Sequence, residues 1–194
     1  MDKQKIVIQN IGDSASLKRK LLEDNHIIET VCQVADAIVN CFKNDGKVLF
    51  CGNGGSAADS QHLAAELSGR YYYDRPPLSA EALHVNTSYL TAVANDYSYD
   101  EVYARLTKAM GKKGDVLIGL STSGNSANVV NAIKQARESG MKTVGFTGKS
   151  GGAMKDVCDY LIPIPSTDTP RIQECHILIG HIICEIVEKT LFPR

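Results

Sequence analysis

Hydrophobic positions in the first 45 residues recur at helical spacing. Leu17, Leu21 and Leu22 form a short stripe, and Ile27, Ile28, Val31, Val34, Ile38 and Phe42 a longer one, a period that places side chains along one side of an α-helix. Asn44-Asp45-Gly46 closes the second stripe with residues that favour a helix stop. That amphipathic face suits packing on the chain's own sheet and a subunit interface equally well.

From residue 46 the period changes. Residues 47–51 form a short continuous apolar run bounded by Gly46 and Gly52, as expected of a strand covered on both faces. The same pattern returns at residues 115–120, 143–147 and 160–164, and more weakly at 81–85. Helical stretches lie between and after them, at 57–68, 89–94, 101–110, 127–138 and 170–191. Strand alternating with helix predicts an α/β fold, a three-layer αβα sandwich with a parallel sheet. One domain is expected over 1–194, with a helical segment at 1–45 and the sandwich at 46–194; nothing reads as a linker or low-complexity tract. Ligands of such sheets bind beyond the carboxyl ends of the strands, so the strand-to-helix turns are where function is expected.

Composition narrows the choice of partner. With 43% hydrophobic and 22% charged residues and a formal net charge of -1, the chain gives no electrostatic reason to bind nucleic acid or an acidic membrane. No apolar run approaches the roughly 20 residues that span a bilayer. The opening Met1-Asp2-Lys3-Gln4-Lys5 precedes an apolar stretch too short for a signal peptide, so a cytoplasmic location is expected. Cys32, Cys41, Cys51, Cys158, Cys175 and Cys184 show no paired spacing and read as reduced, mostly buried thiols.

Two turns carry glycine and small hydroxyl residues into a helix: Gly52-Asn53-Gly54-Gly55-Ser56 after the first strand, and Ser121-Thr122-Ser123-Gly124-Asn125-Ser126 after a later one. Helix amino termini offer free N–H groups, and glycine lets backbone approach a phosphate closely. Ser56 and Ser126 also suit plain helix caps. Neither turn is a Walker A loop or a GxGxxG fingerprint, so no nucleotide cofactor is expected. Ser121, Thr122, Ser123 and Ser126 together make a neutral cradle for a phosphate monoester.

Beyond the first turn, His62 and Glu66 stand four residues apart on one helix face. On the last helix, Gln173 and His181 are eight apart, about 80° around the axis. Exchange between ketose and aldose needs a base beside the carbonyl and an acid or metal for the developing enediolate, and Glu66 and His181 have that chemistry. The set His62, Glu66, Gln173 and His181 equally reads as a zinc site of imidazole and oxygen donors. The two roles compete, because a glutamate held by zinc is a poorer free base. His176, among Ile172, Cys175, Ile179 and Ile183, reads as a packed histidine.

These motifs, Cys51-Gly-Asn-Gly-Gly-Ser-Ala-Ala-Asp, Gln61-His62-Leu-Ala-Ala-Glu66-Leu-Ser-Gly-Arg70-Tyr71, Gly119-Leu-Ser-Thr-Ser-Gly-Asn-Ser126 and the stretch from Arg171 to His181, resemble the sedoheptulose 7-phosphate (phosphoheptose) isomerases of the sugar isomerase (SIS) superfamily. The resemblance spans nearly the whole chain, with the motifs in order. It implies conversion of sedoheptulose 7-phosphate to D-glycero-D-manno-heptose 7-phosphate, the opening of bacterial heptose biosynthesis. It implies a homotetramer whose active sites draw on neighbouring subunits. It also implies Glu66 as base, His181 as acid, one zinc per subunit on His62, Glu66, Gln173 and His181, and substrate contacts at Asn53, Gly54, Gly55, Glu66, Asn95, Asp96, Ser121, Thr122, Ser123, Ser126 and Gln173.

Two departures bear on substrate preference: Asn86 stands where many members have aspartate, and Pro170 where the best-known subgroup has an acidic residue. Residues 94–96, 100–104 and 191–193 also resemble a non-catalytic SIS protein that associates with a replication initiator, but that relative lacks equivalents of Glu66 and His181. A sugar-phosphate sensor is the third reading, and the amino-terminal helices carry no evident DNA-binding segment for it.

Overall fold

The computed structural model describes residues 1–194. In chain order its elements are α1 (Lys3–Leu22), α2 (Asn25–Lys43), β1 (Val48–Gly52), α3 (Gly55–Ser68), β2 (Ala80–Ala82), α4 (Thr87–Asp96), α5 (Val102–Met110), β3 (Val116–Ser121), α6 (Ala127–Glu138), β4 (Lys142–Thr147), β5 (Tyr160–Pro163) and α7 (Thr169–Leu191). Short 3-10 turns precede α5 and β5. The sheet runs β2-β1-β3-β4-β5 with every pair parallel, as the alternating pattern predicts.

Strand alternation sorts the core into two layers. Val48, Phe50, Ile118 and Phe146 face α1, α2, α3 and α7, whereas Leu49, Cys51 and Leu117 face α4, α5 and α6. Val34, Ala35 and Ile38 of α2 are fully buried against this core, so that helix covers its own sheet. Four of the six cysteines are buried, Cys158 is partly so and Cys32 is exposed, all as free thiols.

Three expectations need correcting. The first helix begins at Lys3, far ahead of its leucine stripe. Leu17 and Leu21 are buried, but Leu22 is 78% exposed, one step round the helix from the stripe; Ile28, likewise adjacent to buried Ile27, is also exposed. The weak strand shrinks to β2: Leu83 still donates its N–H to the Phe50 carbonyl at 2.9 Å, but the chain turns at Leu83 and His84.

The connection leaving β1 leads to β2 on one side, and that leaving β3 leads to β4 on the other. Strand order therefore reverses between β1 and β3, and a crevice opens beyond their carboxyl ends. Both glycine–serine turns lie there.

Candidate active site

At the head of α3, Gly54 adopts φ 56°, a left-handed conformation that suits glycine and starts the helix two residues before the expected position. Ser56 falls inside the first turn, 4% exposed, and caps nothing with its side chain. Ser126 does occupy the cap position of α6, yet makes no capping hydrogen bond. Its hydroxyl instead lies 2.9 Å from that of Ser121, and Ser121 lies 3.4 Å from Ser123. The plain-cap reading thus fails for both side chains. The second turn gathers three hydroxyls at a helix amino terminus, a place that attracts phosphate. Thr122 contributes its carbonyl to the Gly148 N–H, tying this turn to the end of β4.

A reciprocal amide pair joins the two turns. Asn53 donates to Asn128 Oδ1 at 2.8 Å, and Asn128 donates back to Asn53 Oδ1 at 2.9 Å. Tyr99 adds a hydroxyl to the same Asn53 oxygen at 3.2 Å. Asn95 and Asp96 stand at the exposed end of α4, bonded to each other at 2.9 Å.

The second group sits farther along α3. His62 Nε2 is 3.0 Å from Glu66 Oε1, and His181 Nε2, brought in by α7, is 3.3 Å from His62 Nε2. Donor atoms of all three lie within 4.8 Å of one another. Two imidazole nitrogens this close must share a proton or a cation. Two nitrogens bound to one tetrahedral zinc at about 2.05 Å stand about 3.3 Å apart, so the donor set fits that ion. Burial, then the adjacent His62 ring, lowers the His181 pKa, while the Glu66 carboxylate acts the other way. The group is not sealed: His62 remains 48% exposed at its side chain.

Gln173 belongs elsewhere in this chain. Its amide nitrogen is 2.6 Å from where a Cβ on Gly55 would stand, eight residues and ~12 Å of helix rise from His181. Gly55 is the residue that leaves room for it.

Three side chains escaped the sequence reading. Asn128 lies two residues past Ser126 and its only signal was an amide in a helix's first turn. Tyr99 gave none. Tyr71, whose ring centroid is 5.7 Å from that of His181, stood in plain view behind Arg70, but tyrosine in a run of three gives no cue to which one turns inward.

The SIS domain family model matches residues 13–148. A phosphoheptose isomerase from Clostridium acetobutylicum is 53% identical over 94% of this chain and 93% of its own. Solved structures of phosphoheptose isomerases from Neisseria gonorrhoeae and Francisella tularensis superpose with TM-scores of 0.91 and 0.93, at 42% and 34% identity; each covers 97% of this chain and 100% of the other.

Proposed function

We infer the chemistry from a family premise: this chain belongs to the SIS domain family and, within it, to the phosphoheptose isomerases. It interconverts sedoheptulose 7-phosphate and D-glycero-D-manno-heptose 7-phosphate, the entry to heptose biosynthesis. A non-catalytic or sensing role has no observation in its favour, since the chain keeps a carboxylate and two imidazoles converged within 4.8 Å. That convergence is the observation that carries the mechanism.

In the proposed reaction, the Glu66 carboxylate takes a proton from C1 of the ketose while His181 donates one to the C2 oxygen, giving a 1,2-enediol. A proton then returns to C2 and the C1 hydroxyl loses its own, which forms the aldose carbonyl with no net change in protons. Ser121, Ser123 and Ser126, with Thr122 and the α6 amino terminus, are assigned to the phosphate. Asn53, Gly54, Gly55, Asn95, Asp96 and Gln173 are assigned to the sugar.

His62, Glu66 and His181 are the residues that would hold zinc; Gln173, which packs against Gly55 in its own chain, would complete the set only from a neighbouring protomer. Zinc bound there would act as a Lewis acid on the sugar oxygens. The chain's own groups still move the protons.

A homotetramer with sites shared between protomers completes the proposal. Gly55, assigned to the sugar, and Glu66 are eleven residues apart on α3, ~16 Å of rise, which favours a substrate turn and an acid–base pair brought together from different protomers. Ile6, Val7, Ile8 and Ile11 of α1 are 45–72% exposed, an apolar surface of the kind that subunit contacts cover. No helix is long and apolar enough to cross a membrane, in keeping with a cytoplasmic enzyme.

Purified protein incubated with sedoheptulose 7-phosphate, followed by NMR, tests the assignment. Turnover by wild type that falls ~10²–10⁴-fold in Glu66→Gln and His181→Ala, with folding intact, is expected. Full activity in either variant removes that residue from the mechanism.

A further inference from the structure

Arg75, in the segment between α3 and β2, forms a buried charge pair with Glu188 of α7. The Arg75 guanidinium and the Glu188 carboxylate are 2% and 1% exposed, with Arg75 Nε donating to Glu188 Oε1 at 3.2 Å. Every other donor distance from Arg75 leads to a backbone carbonyl. Nη2 reaches Glu66 O at 2.8 Å, and Nη1 reaches Leu67 O at 2.7 Å, Gly69 O at 3.0 Å and Pro76 O at 3.1 Å. The last carbonyls of a helix lack partners within it, and here a side chain from outside takes two of them. One belongs to the residue that carries the proposed base.

Glu188 performs the matching task on α7. It is seven residues after His181, about two turns along nearly the same face. Its two oxygens accept from the Tyr71 and Tyr72 N–H groups at 2.9 and 2.8 Å, and Tyr71 places its ring beside His181. A single ion pair thus grips the backbone of Glu66 and the aromatic neighbour of His181.

Stability alone is a weak reason for such a pair. Apolar replacements of similar volume are often neutral or stabilising, because two charges must be stripped of water. What an apolar pair cannot do is hold four carbonyls and two amides at fixed positions.

We propose that Arg75 and Glu188 are positioning residues for the isomerisation, a clamp that sets the end of α3 against α7 and thereby the separation of Glu66 from His181. The proposal rests on the acid–base assignment above.

The test compares Arg75→Met/Glu188→Leu with wild type, Glu66→Gln and His181→Ala for urea unfolding, kcat, KM for sedoheptulose 7-phosphate and the pH profile of kcat/KM. The double variant strands four carbonyls and two amides, so it is expected to unfold at a lower urea concentration, to lose kcat ~100-fold, as a misplacement of about 1 Å costs, to keep KM within about twofold, and to show a displaced pH profile. Wild-type kcat and pH profile in the folded double variant overturn the clamp. Should that variant not fold, Arg75→Lys decides: it keeps the charge facing Glu188 but cannot span the carbonyls, so kcat must fall with KM held, and unchanged kcat refutes the idea. If Glu66→Gln and His181→Ala themselves turn over normally, the acid–base assignment fails instead; if they are inactive while the clamp variants are not, the clamp alone fails.

Discussion

Gly180→Ala sets two effects of opposite sign against each other. Gly180 lies on α7 facing Leu63 of α3, and a Cβ built there stands 2.5 and 2.6 Å from the two Leu63 methyls and 3.1 Å from its Cγ. In an open helix the substitution stabilises by about 1 kcal/mol through helix propensity. Leu63 is 1% exposed, however, and the apolar void that it shares with Leu67, Ile183 and Cys184 is only about 10 Å³. It has no room to turn away. Overpacking of this kind costs about 1–3 kcal/mol, so the net expectation is a loss of about 0–2 kcal/mol, read as an unchanged or lower urea midpoint at fixed protein concentration. The relief open to the structure is a wider gap between α3 and α7. Because α3 carries His62 and Glu66 and residue 181 follows directly on α7, that widening should, if the proposed site takes up added zinc, weaken its binding about 10–100-fold in a chelator competition, as loss of ligand support does elsewhere. A variant more stable than wild type, with unchanged zinc affinity, would refute this account of the helix contact.

Other outcomes follow from the same geometry. Asn128→Ala leaves Asn53 without its reciprocal partner and unlinks the two turns, so KM should rise about tenfold while stability falls by about 1–3 kcal/mol; steady-state kinetics with an unchanged KM would disconnect that pair from substrate. Ser126→Ala removes a hydroxyl from the cradle and should weaken competitive inhibition by inorganic phosphate about tenfold, and an unaltered inhibition constant places the phosphate elsewhere. Burial, opposed by the hydrogen bond to the Thr147 carbonyl, lowers the His176 pKa to about 4, against about 6.5 for an unfolded histidine. Between those values the unfolded chain binds a proton that the native one does not, so stability should fall as pH drops through this window, by up to about 3 kcal/mol. Urea unfolding of wild type and His176→Gln at pH 4.5 and 7 checks it, and identical pH dependence in the two contradicts it.

Much of the architecture was legible because it is written in local periods. Continuous apolar runs such as residues 47–51 and 143–147 mark strands buried on both faces, and they became β1 and β4 of an all-parallel sheet. The location of the turns followed from that sheet. What stayed hidden depends on partners distant in sequence. Asn53 meets Asn128 across 75 residues, and Arg75 meets Glu188 across 113; neither pairing has a local signature. The cap at Ser126 misled for a local reason: it has the right type and position, but Ser121, at the start of the same turn, claims its hydroxyl. The amino-terminal half of α1 was missed because Ile6, Val7 and Ile8 are consecutive rather than periodic, and they point outward.

The central claim is that Glu66 and His181 move protons through an enediol. Its most direct test is to run the isomerisation in D2O and read the product by NMR at C2. Exchange of the abstracted proton with solvent, or delivery from a solvent-equilibrated His181, predicts deuterium at C2 of the aldose. Complete transfer of the original C1 hydrogen to C2, with no deuterium incorporated at any extent of reaction, would point to a hydride shift and contradict the acid–base account.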